Sequence, residues 1–100
     1  KLDRKIVFIA SGDLSHRLIP GAPAGYEEGA HEFDEMLVRC IRSGDYKSLQ
    51  HVDPHLRELA GECGYNSLMV ALGVVNEQPV NNEVLSYEGP FGVGYLVAKL

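Results

Sequence analysis

One hundred residues bury only about two-thirds of their unfolded surface on folding, so a chain of this length carries one modest core. Fourteen acidic side chains outnumber nine scattered basic ones, for a net charge of −5, which argues against binding to nucleic acid, because phosphate backbones are gripped by clustered Lys and Arg. No apolar run approaches the ~20 residues of a membrane span and no charged-then-apolar leader is seen, so the chain reads as soluble and cytoplasmic, with no membrane partner.

The first element is the unbroken apolar run from Ile6 to Ala10. Its β-branched content reads as a strand buried on both faces. Such a strand needs neighbours on each side, and the rest of the sequence offers few. Because the run begins after only Lys1-Leu2-Asp3-Arg4, residues 1–100 are expected to be a single small domain or an excised fragment of a larger one.

Ser11-Gly12-Asp13 is a turn signal, and Asp13, Ser15 and His16 follow where the strand should leave its sheet. Ligands and reactive groups collect at that place in open α/β sheets. An imidazole exchanges protons near neutral pH, so His16 is the candidate acid/base residue. Asp13 is placed to orient its ring through one nitrogen. The competing reading is that Asp13 and Ser15 only cap the turn and His16 is a polar surface residue.

The stretch 17–29 holds Pro20, Gly21, Pro23, Gly25 and Gly29 and cannot be a regular element. It is long for a connection, and its one large aromatic, Tyr26, either covers a ligand or packs the loop onto the domain. Phe33, Met36, Leu37, Cys40 and Ile41 then recur at helical spacing, with Glu32, Glu35, Arg39 and Arg42 on the other side. Ser43-Gly44 ends that helix. His31 at its start reads as solvent-facing.

A short helix within 45–52 turns Tyr46, Leu49 and Val52 inward. Asp53-Pro54 caps and starts the next, whose apolar face of Leu56, Leu59, Ala60 and Cys63 should run to Gly64. His51 and His55 are four residues apart, but Asp53-Pro54 breaks the helix between them, which argues against a zinc pair. Cys40 and Cys63 read as reduced, helix-borne residues.

Ala60-Gly61-Glu62-Cys63-Gly64 sets two glycines around a carboxylate and a thiol, a pattern that suits close backbone packing. Glu62 and Cys63 either line the site or serve structure, and the structural reading is favoured. Asn66 is a good N-cap for 68–75, a helix apolar nearly all round. After a polar turn, strands are expected at 84–87 and 93–98, with Gly92 and Gly94 marking a bulge or a close backbone contact. Glu88, on a glycine-flanked turn, is a candidate oxygen ligand for a divalent ion.

Three stretches, Ser11 to Leu18, Ala60 to Gly64 and Leu85 to Tyr95, resemble in order the C-terminal part of the class III extradiol ring-cleavage dioxygenases of the B-subunit type. The Memo-like branch known as AmmeMemoRadiSam system protein B is the most similar. The resemblance implies an α/β domain with a central sheet flanked by helices. It also implies ferrous iron (Fe2+) as cofactor, and a catecholic substrate opened with O2. By resemblance His16 is the acid/base histidine and Glu88 the third iron ligand; Asp13, as the residue orienting His16, and Ser15 and Tyr26, as substrate contacts, are the candidates that the site loop itself adds. The two histidines that complete such a site have no counterpart here, so the fragment alone is expected to be inactive.

Two rivals stand beside this reading. One is a non-catalytic Memo-like module that binds a peptide or metabolite between the site loop and the glycine-rich turn. The other is a divalent-metal hydrolase using Asp13, His16 and Glu88. An open sheet edge also leaves room for a homo-oligomer.

Overall fold

The computed structural model describes residues 7–76, 78–79 and 81–100. Within them helices precede a hairpin: α1 (Ala30–Ser43), α2 (Tyr46–Leu49), α3 (Pro54–Ala60), α4 (Tyr65–Val74), β1 (Glu83–Glu88) and β2 (Tyr95–Lys99). The class is α/β, as the sequence leads one to expect. None of the described helices is long and apolar enough to cross a membrane.

The helical stripe predicted around Phe33 forms α1, with Phe33, Leu37, Cys40 and Ile41 buried on one side. Gly44 ends the helix with φ +77°, a left-handed turn that glycine takes without steric cost, and its N–H reaches back to the carbonyls of Cys40 and Ile41. Asp45 then caps α2, accepting hydrogen bonds from Ser48 N at 3.2 Å and Ser48 Oγ at 2.7 Å. These bonds hold its carboxyl below the usual carboxylate range. Tyr46, Leu49 and Val52 all point inward. Asp53 caps α3 by accepting from His55 N at 2.9 Å, with Pro54 in the first turn.

Two helix boundaries differ from expectation. Helix α3 stops at Ala60 rather than running to Cys63, because Gly61 turns the chain left-handed at φ +63°. Helix α4 starts at Tyr65, and Asn66 does not cap it. Glu62 does so instead, for one of its carboxylate oxygens accepts Tyr65 N–H at 2.9 Å and the other accepts Arg57 Nε at 3.1 Å. A carboxylate just before a helix satisfies an otherwise orphaned N–H and suits the positive end of the dipole.

Helix α1 packs against α2, α3 and β1, and the core between them contains Phe33, Leu37, Ile41, Leu49, Tyr65 and Leu72. The Phe33 and Tyr65 rings meet at a tilt with centroids 6.5 Å apart. The Tyr65 hydroxyl donates to the Leu49 carbonyl, and the Arg57 guanidinium lies 4.1 Å from the Tyr65 ring centre. Helix α4 therefore reaches the core through its first turn and through Leu72.

The hairpin is antiparallel, pairing Glu88 with Tyr95 and Glu83 with Lys99, with an irregularity between Val84 and Ser86. The second strand begins at Tyr95, two residues later than expected. Gly92, Val93 and Gly94 leave the hairpin to run along the site loop. There Leu14 N donates to Gly94 O at 2.9 Å, Gly94 N to Ser15 O at 2.8 Å, and Leu18 N to Gly92 O at 3.0 Å.

The largest departure concerns the first apolar run. Ile6 lies outside the described residues, but residues 7–10 form no strand, and Val7 and Ile9 are 83% and 80% exposed. No backbone hydrogen bond joins them to another described residue. A strand buried on both faces requires paired neighbours, and among the described residues the two strands of the hairpin pair with each other. For the same reason α4 is not covered all round, and Val70 and Val74 remain exposed.

Candidate functional site

The site grows from a crossing of two loops. Residues 12–16 pass over 60–64, where the Asp13 carbonyl accepts N–H bonds from both Cys63 at 3.1 Å and Gly64 at 2.8 Å, and His16 N donates to the Ala60 carbonyl at 3.1 Å. The approach is close enough to demand glycine on both sides. A methyl group added at Gly12 would lie 2.6 Å from Gly64 Cα, and one at Gly64 would lie 2.9 Å from the Asp13 carbonyl oxygen. The close packing read from the double-glycine motif is thus present, with Gly64 rather than Gly61 as the contact point on that strand of the crossing.

This crossing fixes the His16 ring. Its Nδ1 is hydrogen-bonded to the Gly61 carbonyl. A carbonyl only accepts, so Nδ1 carries the hydrogen and the neutral ring keeps its lone pair on Nε2. The orienting partner is a backbone carbonyl rather than Asp13. The Asp13 carboxylate instead faces the other nitrogen, with Oδ2 3.8 Å from Nε2. Cys63 Sγ lies 3.9 Å from the same Nε2 and accepts the Asp13 N–H at 3.1 Å.

Ligand atoms of Asp13, His16 and Cys63 all lie within 4.8 Å of one another, and among the described residues this is the group able to share a metal ion. One imidazole, one carboxylate and one thiol do not amount to the two-histidine, one-carboxylate face of a ferrous oxygenase. The donors present do suit a borderline-soft divalent ion. His31, His51 and His55 are exposed and stand outside the group.

The other residues singled out in the sequence are dispersed. Ser15 is fully buried; its hydroxyl donates to the Ala60 carbonyl at 2.8 Å and accepts Arg17 N–H at 3.0 Å, so it braces the crossing from inside. Tyr26 is 52% exposed on its loop. Glu88 is exposed at the end of β1 opposite Tyr95 and does not join the group. Both cysteines are free thiols, Cys40 buried and Cys63 exposed.

Two further participants emerge: Cys63, for which the sequence favours a structural role over lining the site, and Asp34, which the sequence does not single out. Cys63 reaches the site because α3 ends early, which swings the thiol off the helix and toward His16. Asp34 is 1% exposed in the middle of α1. Its Oδ1 accepts Ser15 N–H at 2.8 Å and its Oδ2 accepts the Tyr87 hydroxyl. Burial pushes the Asp34 carboxyl up despite those two bonds. Burial and the neighbouring Asp34 carboxylate likewise push Tyr87 up, so that it stays a hydroxyl donor. The signal for Asp34 lies in the helix itself, since it shares an arc with Leu37, Val38 and Ile41, all buried.

Comparison with known proteins agrees with this architecture. The whole chain is 44% identical to Protein CA_C1420 of Clostridium acetobutylicum, of which it spans 21%. The family model described as the catalytic LigB subunit of aromatic ring-opening dioxygenase matches residues 1–98. With nearly every residue covered, from the site loop through the glycine-rich turn, the chain belongs to the LigB family.

Proposed function

We propose that this chain supplies the proton-transferring part of a LigB-type site that opens catecholic rings with O2, with His16 as its acid/base residue. The observation that carries the reading is the hydrogen bond from Nδ1 to the Gly61 carbonyl. It leaves Nε2 as the basic nitrogen of the neutral ring, facing the Asp13 carboxylate at 3.8 Å and the Cys63 thiol at 3.9 Å. A phenolic hydroxyl brought to Nε2 would give up its proton there, and the facing Asp13 carboxylate would stabilise the imidazolium that forms. The His16 side chain is 22% exposed, so part of it faces solvent. Ferrous iron remains the cofactor that family membership favours; the donors of this chain do not complete its site, and no step is assigned to it.

The test is oxygen uptake by the intact protein with a panel of catechols. Replacing His16 with Gln should lower kcat by roughly 10²- to 10⁴-fold, the usual worth of a positioned acid/base group, with substrate affinity largely kept. Turnover unaffected by H16Q would end this reading.

The thiol at the site favours a second one, in which the group holds a divalent ion without ring opening. In that case C63S weakens zinc binding by the intact protein and no catechol is consumed.

A further inference from the structure

We infer that Asp34 is the positioning residue of the site: a buried carboxylate on α1 that sets where the His16 ring stands, acting through the backbone of Ser15. This inference rests on the reading of His16 as the proton carrier, and it adds a residue that touches neither substrate nor His16 directly.

A carboxylate buried at 1% exposure is expensive unless its lone pairs are used, and nothing in α1 itself needs one. Both oxygens of Asp34 are engaged outside their own helix. Oδ1 accepts Ser15 N–H at 2.8 Å and Oδ2 accepts the Tyr87 hydroxyl from β1. The surroundings are shaped to this group as well, since a methyl group at Gly94 would lie 2.1 Å from Oδ2. Gly94 itself exchanges backbone bonds with Leu14 and Ser15. The site loop at 14–15 and the C-terminal hairpin at 87 and 94, which lie on opposite sides of α1 in sequence, therefore converge on one side chain.

What Asp34 holds is the residue immediately before His16. With Ser15 N pinned to α1, the Ser15 hydroxyl is directed to the Ala60 carbonyl, His16 N meets the same carbonyl, and Nδ1 reaches the next one, Gly61. Each bond is a consequence of the one before it. If Ser15 shifts, the Gly61 carbonyl no longer selects the Nδ1-protonated ring, and Nε2 no longer faces Asp13 and Cys63.

The experiment compares D34A, D34N and Y87F in the intact protein, with two readouts. One is the pair of ¹⁵N chemical shifts of the His16 ring, identified by their loss in H16Q. The other is kcat and KM for catechol-driven oxygen uptake. In D34A the ring should change from one tautomer to a mixture, and kcat should fall roughly 10- to 100-fold at nearly constant KM, the scale expected for a misplacement near 1 Å. In D34N the amide oxygen still accepts Ser15 N–H, so both readouts should recover most of the way. Y87F keeps the Ser15 bond and should show the same changes at smaller amplitude.

A core variant such as Leu49→Val provides the control, because it lowers stability without touching this chain of bonds. An unaltered His16 tautomer in D34A, or a D34N no better than D34A, overturns the inference. Should D34A not fold, an unaltered tautomer in Y87F does the same. If the wild-type protein consumes no catechol while D34A still scrambles the tautomer, the positioning role stands and the ring-opening reading falls.

Discussion

Two regions of the molecule are packed by opposite rules. Around the site the packing is close: Gly12 lies on the Gly64 backbone, Gly94 lies on the Asp34 carboxylate, and paired amides join 14–18 to 92–94, leaving no room for one more methyl group at these glycines. In the second region, residues 7–10, Val74, Val75 and the strand from Leu96 to Lys99 line a groove of about 910 Å³. There Val7, Ile9, Val74 and Val97 are each more than half exposed. The contrast shows that the geometry around His16 is set locally by α1, the loop crossing and the glycine-rich turn. It does not wait on the apolar groove being filled.

That contrast is sharpest at the glycines. Gly94→Ala should be strongly damaging, because its new methyl meets the Asp34 carboxylate and Leu14 at once. Overpacking of this kind costs about 1–3 kcal/mol, and the upper end is expected where a buried hydrogen-bonded carboxylate must move. Urea denaturation would measure the loss. A Gly94→Ala protein as stable as wild type would mean that the junction is looser than its contacts imply.

The sequence discloses the two regions unequally, for physical reasons. Helices α1, α2 and the start of α3 are legible because their signals are local: an apolar stripe, Gly44 at a C-terminus, Asp53-Pro54 at an N-terminus. The site loop is legible too, since Asp13 and His16 stand together in sequence as in space. What does not show is whatever depends on distant partners. Cys63 reads as part of a helical apolar face until Gly61 is known to turn the chain, and nothing local to α1 names Ser15 and Tyr87 as the partners of Asp34. The apolar run at 7–10 fails in the opposite sense. Its composition specifies a buried strand, but burial is supplied by neighbours, and no described residue pairs with it.

A smaller effect should appear in the pH dependence of stability. Burial raises the Asp34 carboxyl above its ordinary value of 3.8, and the bonds from Tyr87 and Ser15 offset part of that rise. Between the unfolded and folded values the native state binds the proton more tightly. The stabilisation from a protonated Asp34 is therefore full below about 3.8 and is lost as pH climbs through the raised folded value. Asp45 acts with the opposite sign, since its lowered carboxyl contributes above its unfolded value and loses that contribution on acidification. The difference between wild type and D34N isolates the buried group. Relative to D34N, wild type should lose stability as pH rises from acid toward neutral, and a flat difference curve would show that the hydrogen bonds fully cancel the cost of burial.

The smallest predicted effect runs the other way and comes from an exposed turn of α4. Gly73 sits in the last turns of α4, exposed, and a methyl group there would meet nothing within 4 Å. Its φ is not in the left-handed region that favours glycine. Gly73→Ala should therefore stabilise the protein by about 0.5–1 kcal/mol, because alanine loses less backbone freedom in a helix and clashes with no neighbour. The same chemical change thus carries opposite signs at the site and on an exposed turn of α4. A Gly73→Ala protein that is destabilised by as much as Gly94→Ala would mean that this turn of α4 is packed in the intact molecule as tightly as the site.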